Sequence, residues 1–295
     1  MRLRDEPSGQ VGGLVALTEC ELCGANAFRP FARGQGLRVT RCAACGLVSV
    51  NPRPDANALH DEYNSGGSSR IQYYLDVEAA DRRTALEVFE LVHRFRRPPG
   101  RVLDIGPNIG TFLDVARTLG WETQGIELNA TAATFCQSER HLDVKIGVLE
   151  DAGFEPGTKD LVLMCDVLEH LPNPKRSMRE VRDLISPDGL LLISTPNVET
   201  LAGRVLQMKP REHLHLFSPS TLRKLLETTG FEVAHLGPYD RYHNITAMSH
   251  STTLGGVFGV LGPVFRLARR TLGDVVVRLP IRENLIALAR PARRT

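Results

Sequence analysis

Four of the six cysteines stand in two pairs whose spacing is typical of a zinc site. Two residues separate Cys20 from Cys23, and two residues separate Cys42 from Cys45. Thiolates at this spacing point to the same side of a tight turn, and two such turns complete the tetrahedron of ligands that Zn²⁺ prefers. Because the protein supplies all four ligands, we expect a closed, structural zinc ribbon rather than a redox-active dithiol.

The segment RVLDIGPNIG has the composition of a nucleotide-binding turn between a strand and a helix. A dinucleotide fingerprint requires a second glycine two residues after Gly106, where this sequence has Asn108. The segment also lacks the lysine that holds ATP or GTP phosphates in a P-loop. A turn from Gly106 to Gly110, preceded by Asp104, therefore suits a ligand without phosphates, and the carboxylate would attract an ammonium or sulfonium group.

A second acidic residue follows at the distance expected for ribose recognition. Glu127 ends TQGIE, the second predicted strand segment, about 20 residues after the glycine turn. A carboxylate in this place accepts hydrogen bonds from both ribose hydroxyls. The alternative is an acid in a solvated loop.

The elements that must position these residues follow from the apolar pattern, which alternates between strand and helix spacing from Arg101 onward. The predicted strands lie near residues 101–105, 122–127, 143–147, 160–165 and 189–194, and the predicted helices near 110–119, 129–139 and 176–185. This alternation predicts an α/β fold with a parallel sheet and helices on both faces. Ligands of such sheets bind at the carboxyl ends of the strands. A further helix is predicted from Asp76 to Arg96, after a flexible loop at 65–69.

These segments resemble the class I S-adenosylmethionine-dependent methyltransferases. VLDIGPNIGTFLDVA resembles their first motif, although Asn108 replaces its middle glycine, and IELN resembles the acidic ribose-binding motif. DLVLMCDVLEHLPNP and LISPDGLLLISTPN are similar to the fourth and fifth strand segments of the branch that includes ubiquinone-type O-methyltransferases. The resemblance covers residues 75–290. The cysteine-rich segment resembles a zinc-binding module fused to some of these enzymes, mostly small-molecule and glycan-tailoring methyltransferases of bacteria.

The resemblance implies a Rossmann-like sheet of seven strands, mostly parallel with an antiparallel last strand, in which residues 231–239 and 283–291 pair. It implies S-adenosylmethionine as the cofactor, with Leu149 against the adenine ring and Asp166 near the methionyl end or capping a helix. Whether Glu150 or Asp151 reaches the adenine amine stays open. The implied cofactor-binding residues are Asp104, Gly106, Asn108, Gly110, Glu127, Leu128, Leu149, Glu150 and Asp166.

Three histidines are candidates for a general base, which transfer to a hydroxyl or an acidic C–H group requires. His170 follows the fourth strand, and His213 and His215 lie in the segment REHLHLF before the next helix. Ser218 is predicted as the N-cap of that helix. A structural role is the alternative for each histidine, and metal binding by the H-x-H pair lacks further ligands nearby in the sequence.

The chain divides by this reasoning into a zinc-ribbon module with its connector at residues 1–64 and a methyltransferase domain at 75–295. The domain carries an insertion at 240–282, whose segment 251–282 is apolar and then basic. The insertion is expected to form a lid over the substrate, an interface in a homodimer, or a peripheral contact with a membrane surface. The sequence shows neither a signal peptide nor a transmembrane segment, so we expect a cytoplasmic protein, with peripheral membrane contact as an option.

The composition separates the candidate functions. The expected substrate is a small molecule, a glycan or a lipid-linked compound, methylated on oxygen or carbon. The alternative is an RNA methyltransferase that holds nucleic acid with the zinc ribbon. A net charge of +2 and a ribbon poor in aromatic residues disfavour nucleic acid. A cofactor-binding regulator without activity is a third reading, which the set of Asp104, Gly106 and Glu127 disfavours.

Overall fold

The computed structural model describes residues 10–11, 13–64, 67–244 and 275–293, which form three small sheets, one large sheet and seven helices. The strands are β1 (Gln10–Val11), β2 (Leu14–Val15), β3 (Phe28–Gly34), β4 (Leu37–Cys42), β5 (Val48–Val50), β6 (Arg53–Pro54), β7 (Arg101–Ile105), β8 (Glu122–Glu127), β9 (Asp143–Ile146), β10 (Lys159–Cys165), β11 (Ile185–Pro196), β12 (His215–Leu216), β13 (Phe231–Tyr239), β14 (Tyr242–Asn244), β15 (Val276–Arg278) and β16 (Asn284–Pro291). The helices are α1 (Ala56–Asn64), α2 (Gly67–Val92), α3 (Thr111–Thr118), α4 (Ala130–Arg140), α5 (Pro174–Leu184), α6 (Leu201–Leu206) and α7 (Pro219–Thr228).

The large sheet has seven strands in the order β13-β16-β11-β10-β7-β8-β9. The five strands from β11 to β9 pair in parallel, whereas β16 is antiparallel to both β11 and β13. This topology confirms the predicted Rossmann-like α/β fold with an antiparallel last strand. The central strands β7 and β10 are buried almost throughout, as expected for a parallel sheet covered on both faces.

Alternate residues of these strands feed two apolar cores, one on each face of the sheet. Leu103 and Met164 face the core that α5 and α7 cover. Val102 and Leu163 face the other core, which α2 and α3 close with residues such as Phe89. The helices therefore hold the carboxyl ends of the strands in fixed relative positions, and those ends carry the site.

The long helix before the sheet begins earlier than its pattern indicates. The prediction placed it from Asp76 to Arg96, after a loop at 65–69, whereas α2 runs from Gly67 to Val92. Residues 67–69 are thus helical, and the loop prediction is wrong for them. The polar residues GSSR show no helical pattern of their own. They are helical because they extend a helix that is stabilised by packing on α3 and α4.

The cysteine-rich hairpin shares a sheet with the rest of the protein. Strands β3, β4 and β5 are extended by β12, where His215 pairs with Ser49 and Leu216 with Val48. Cys20 and Cys42 also belong to the apolar core that contains Leu103. The hairpin is therefore joined to the rest of the protein in two ways, by backbone pairing with β12 and by apolar packing on the core beneath the large sheet.

Strands β14 and β15 form an antiparallel pair at the base of the insertion predicted at 240–282. Residues 245–274 of that insertion lie outside the described residues, and so does most of the segment 251–282 predicted to contact a membrane or form a dimer interface. Within the part of the chain that the structure describes, none of the helices has the length and apolar character needed to cross a bilayer.

Candidate active site

The turn between β7 and α3 has a left-handed backbone at every second residue. The φ angles are +73° at Gly106, +54° at Asn108 and +81° at Gly110. Asparagine is one of the few residues other than glycine that adopts this conformation readily. Asn108 therefore supplies the backbone geometry of the middle glycine, and its departure from the family pattern does not change the path of the turn.

The two glycines of this turn have no room for a side chain. A Cβ atom at Gly106 would lie 2.8 Å from Cγ2 of Val167, and one at Gly110 would lie 2.6 Å from Cδ1 of Leu142. Both contacts are closer than real Cβ atoms approach. The segment after β10, which carries Val167, is consequently packed directly against the glycine turn.

Glu127 ties the end of β8 to this turn. Its Oε2 accepts a hydrogen bond from the backbone N–H of Asn108 (2.9 Å), and its Oε1 accepts one from the backbone N–H of Asn129 (2.8 Å). Burial raises the pKa of Glu127, and the backbone donors oppose that rise. The carboxylate is thus fixed at the carboxyl end of its strand, where it can still accept hydroxyl groups through its remaining lone pairs.

Asp104 lies deeper than the sequence indicates. Instead of standing at the mouth of the turn, it pairs with Gly125 and Leu163 within the sheet and is only 2% exposed. Burial raises the pKa of Asp104 well above its usual range, and the neighbouring charge of Glu127 adds to the rise. The side chain of Asp104 is therefore buried below the turn, where a cation bound beside it would stabilise the charged form.

Three other predicted cofactor-binding residues, among them Leu149 of the expected adenine site, lie on the adjoining loops. Leu128 directly follows Glu127 and is half-buried. Leu149 begins a 3₁₀ turn that ends at Asp151 and packs against the apolar core, whereas Glu150 is exposed. Glu150 is therefore exposed to solvent, whereas Leu149 beside it offers a half-buried apolar surface. This arrangement fits an apolar wall for the adenine ring better than a buried hydrogen bond from Glu150.

Asp166 adopts a left-handed backbone at the end of β10 and does not cap a helix. One of its carboxylate oxygens accepts a hydrogen bond from Oγ of Ser194 (3.1 Å), and the other forms an ion pair with Arg241. Arg241 also donates to Asp81 on α2 (2.9 Å). Arg241 was not among the predicted site residues. Its position depends on contacts with two acids that lie 75 and 160 residues away in the sequence.

His170 and His213 come together, as the predicted base candidates should. Their rings meet edge to face with centroids 4.8 Å apart. Nδ1 of His170 lies 2.8 Å from the carbonyl oxygen of Glu212, and Nδ1 of His213 lies 2.8 Å from that of Gln207. Burial lowers the pKa of His170 to about 4 and that of His213 well below its usual value. Burial therefore favours the neutral form of both rings.

Glu169 completes this group and was missed by sequence reasoning. Its side chain is 1% exposed, and Oε2 accepts a hydrogen bond from Oγ1 of Thr195 (2.9 Å). Oε1 lies 4.0 Å from Nε2 of His170 and has no hydrogen-bond partner among the described residues. Burial raises the pKa of Glu169 to about 7.

His215 does not join the other two histidines. It is fully buried, with Nδ1 2.9 Å from Oγ of Ser49 and Nε2 2.8 Å from Oε2 of Glu21. Glu21 also forms a two-pronged ion pair with Arg53. Because both ring nitrogens face residues of the cysteine-rich segment, His215 joins that segment to the core, and its predicted catalytic role is not supported by its position.

Tyr63 connects the cofactor residues with the histidine pair. Its carbonyl oxygen accepts a hydrogen bond from Nδ2 of Asn129 (2.7 Å), and its ring meets that of His170 edge to face at 5.6 Å. The glycine turn, Glu127 and the histidine pair therefore line one continuous edge of the sheet.

The four predicted metal-ligating cysteines converge as well. Sγ of Cys20 lies 3.5 Å from that of Cys45, and Sγ of Cys23 lies 3.6 Å from that of Cys42. All four sulfur atoms lie within 4.8 Å of one another. Zn–S bonds of about 2.3 Å in a tetrahedron separate the sulfur atoms by about 3.8 Å, so the donor set and spacing fit zinc.

Comparison with known proteins agrees with this geometry. A family model described as a methyltransferase domain matches residues 79–236. A protein of Mycolicibacterium smegmatis, named as a probable S-adenosylmethionine-dependent methyltransferase, is 29% identical over 186 residues, which cover 62% of this chain and 68% of the relative. A ubiquinone biosynthesis O-methyltransferase of Xanthomonas campestris pv. campestris is 26% identical over 178 residues, covering 54% and 74% of the two chains.

Solved structures share the fold at low sequence identity. Magnesium protoporphyrin IX methyltransferase of Synechocystis PCC 6803, with bound SAH, superposes with a TM-score of 0.54 at 18% identity over 81% of this chain and 100% of that one. A methyltransferase of Thermotoga maritima gives a TM-score of 0.53 at 16% identity, covering 79% and 99%. The family match over more than half of the sequence establishes that this chain belongs to the methyltransferase domain family and is an S-adenosylmethionine-dependent methyltransferase.

Proposed function

We propose that this enzyme transfers the methyl group of S-adenosylmethionine to an oxygen or carbon atom of a small-molecule, glycan or lipid-linked acceptor. The observation that carries the proposal is the group formed by Glu169, His170 and His213 on the same sheet edge as Glu127. In its neutral form each imidazole offers Nε2 as an acceptor, because Nδ1 faces a carbonyl oxygen and must carry the proton. Such acceptors orient a hydroxyl or an acidic C–H group for in-line attack on the methyl carbon.

The cofactor half of the site supports the same proposal. The glycine turn and the carboxylate of Glu127 are arranged to receive a nucleoside without phosphates. We propose the cofactor-binding set of Asp104, Gly106, Asn108, Gly110, Glu127, Leu128, Leu149, Glu150 and Asp166, with Glu127 on the ribose hydroxyls. The name of the relatives in ubiquinone biosynthesis supports oxygen as the acceptor atom and a lipid-type acceptor.

We also propose that Cys20, Cys23, Cys42 and Cys45 hold a structural zinc ion. The ion would stabilise a hairpin that lacks a large core of its own. Its effect would reach the site through β12 and the ion pair of Glu21 with His215, which place the segment carrying His213. The zinc would therefore support the site without taking part in the reaction.

A label-transfer experiment tests the proposed acceptor class. The purified protein is incubated with methyl-labelled cofactor and cell extract, and the products are separated into RNA, protein, and lipid with small molecules. We expect label in the last fraction, and much less of it at subsaturating cofactor when the cofactor-binding variant Glu127→Gln replaces the wild type. Label in RNA would overturn the proposal and would indicate that the cysteine-rich hairpin holds nucleic acid.

A further inference from the structure

Glu169, His170 and His213 have the arrangement of a metal site that is separate from the cysteine cluster. One ligand atom from each residue lies within 4.8 Å of the others. Glu169 and His213 are buried, and His170 is half-buried, so the group opens to one side. The 3₁₀ turn Leu168–His170 follows Val167, which packs against the glycine turn. The group therefore lies close to the predicted position of the cofactor.

The hydrogen bonds of both histidines leave the ligand atom free. A carbonyl oxygen only accepts hydrogen bonds, so Nδ1 of His170 and Nδ1 of His213 must each carry the proton. Nε2 of each ring then has an unprotonated lone pair. Metal-binding histidines almost always show this pattern, in which the other ring N–H donates to a carbonyl or a carboxylate.

The carboxylate oxygen of Glu169 that lies nearest to Nε2 of His170 lacks a hydrogen-bond partner among the described residues. Thr195 holds Oε2, whereas Oε1 is buried and meets no hydrogen-bond donor in the described part of the chain. A buried carboxylate oxygen without a partner is costly in a folded protein. A cation between Oε1 and the two Nε2 atoms would satisfy all three groups together.

We propose that Glu169, His170 and His213 bind a divalent first-row transition metal ion, such as Zn²⁺ or Mn²⁺, that takes an acceptor hydroxyl in an open coordination position. Two imidazoles and one carboxylate suit these ions, whereas Mg²⁺ and Ca²⁺ prefer oxygen ligands alone. Three protein ligands leave positions for a substrate, as in catalytic rather than structural sites. The inference rests on the proposed function, because it assigns a role to the metal within the same site.

The ion would replace a general base that the histidines provide poorly. A hydroxyl group bound to such an ion loses its proton to water more readily. The oxygen lone pair then forms a bond with the methyl carbon, and the electron pair of the breaking S–C bond stays on sulfur. The products are the methyl ether, neutral S-adenosylhomocysteine and one proton released to solvent.

Titration with Mn²⁺ tests the site without relying on activity. The full chain, with Zn²⁺ already in the cysteine cluster, is titrated with MnCl₂ while free Mn²⁺ is measured by electron paramagnetic resonance. Thiolates select softer ions, so Mn²⁺ reports on the histidine site. We expect one bound Mn²⁺ per chain, displaced by added Zn²⁺, which binds such sites more tightly.

Three variants test whether these residues bind the Mn²⁺ ion. Glu169→Gln keeps an oxygen for Thr195, and His213→Asn keeps an N–H for the carbonyl of Gln207, so both preserve local hydrogen bonds while removing a ligand. Each should weaken Mn²⁺ binding at least about tenfold. His60→Gln, which changes an exposed histidine of α1, should bind as the wild type does. Equal binding by Glu169→Gln and the wild type, or binding of neither Mn²⁺ nor a second Zn²⁺ by the wild type, would overturn the proposal.

The same proteins separate this inference from the proposed function. Undiminished label transfer by Glu169→Gln would overturn the catalytic metal while the methyltransferase proposal stands. Stoichiometric Mn²⁺ binding by a wild-type protein that labels only RNA would uphold the metal site and overturn the proposed acceptor class.

Discussion

Replacement of Glu127 by glutamine should weaken cofactor binding much more than it weakens folding. The two carboxylate oxygens accept backbone N–H groups of Asn108 and Asn129 at 2.9 and 2.8 Å. A glutamine has one oxygen and one NH₂ group, so its NH₂ must face one of these two donors. One charge-assisted hydrogen bond is therefore lost in the protein, and the proposed ribose contact loses its charge.

The size of the effect follows from these contacts. A hydrogen bond to a charged group contributes about 1.5–3 kcal/mol, which corresponds to a loss in affinity of about 10- to 100-fold. The lost backbone hydrogen bond also lowers the free energy of unfolding, but this loss is partly offset because the neutral side chain removes the desolvation cost that raises the pKa of Glu127.

Isothermal titration with S-adenosylmethionine at pH 8 measures the affinity, and urea denaturation measures the stability. The matched control is Glu122→Gln, which changes an exposed carboxylate at the other end of β8 and should bind within about twofold of wild type. Wild-type affinity in a folded Glu127→Gln protein would refute the assignment of this carboxylate to the ribose.

Three further predictions address the buried charges and the cysteine cluster. Without cofactor, Asp104→Asn should be more stable than wild type, and increasingly so as the pH rises above about 4, because burial raises the pKa of Asp104 in the folded state and ionisation then favours the unfolded wild type. Denaturation at pH 5 and pH 8 measures this, and an equal difference at both values would contradict it. Glu21→Ala should lower the free energy of unfolding by about 2 kcal/mol in urea titration, because buried His215 loses its carboxylate partner and half-buried Arg53 loses its ion pair while keeping a hydrogen bond to the carbonyl oxygen of Pro172. A change within about 0.5 kcal/mol would argue against a structural role for Glu21. Elemental analysis should show one zinc fewer in Cys42→Ser than in the wild type, whereas Cys165→Ser should keep it; equal zinc in all three proteins would rule out the cysteine site.

The centre of the large sheet could be predicted from the sequence because β7, β10 and most of β11 are buried on both faces and appear as continuous apolar runs. The bounds 101–105 and 122–127 coincide with β7 and β8. Ser218 caps α7 as predicted, with a reciprocal hydrogen bond to Thr221, because capping depends on neighbouring residues alone. The pairing of β12 with β5 could not be predicted, since a two-residue strand has no pattern of its own and its partner lies 166 residues away.

The site was predicted in part, and its errors have physical causes. His213 and His215 were treated alike because residues two apart in an extended segment point to the same side. In the structure His213 faces His170, and His215 faces Glu21. They differ because His213 closes a turn, in which its backbone N–H bonds to the carbonyl oxygen of Lys209, whereas β12 begins only at His215. The spacing in the sequence does not reveal this change of backbone conformation.

Glu169 and Arg241 were missed for a different reason. The sequence placed Glu169 beside a candidate histidine, but an acid at the end of a strand is usually solvated, and only the contact with Thr195 shows that it is buried. Arg241 acquires its place from Asp81 and Asp166, which are distant in the chain. Asn108 shows the reverse case, because its type departs from the family pattern while its backbone conformation preserves the turn.

A crystal structure of the protein with S-adenosylhomocysteine tests the central claim most directly. The account predicts both ribose hydroxyls within hydrogen-bonding distance of Glu127 and the cofactor sulfur directed toward the group of Glu169, His170 and His213. A cofactor that leaves Glu127 without a ribose contact, or whose sulfur points away from that group, would contradict the account.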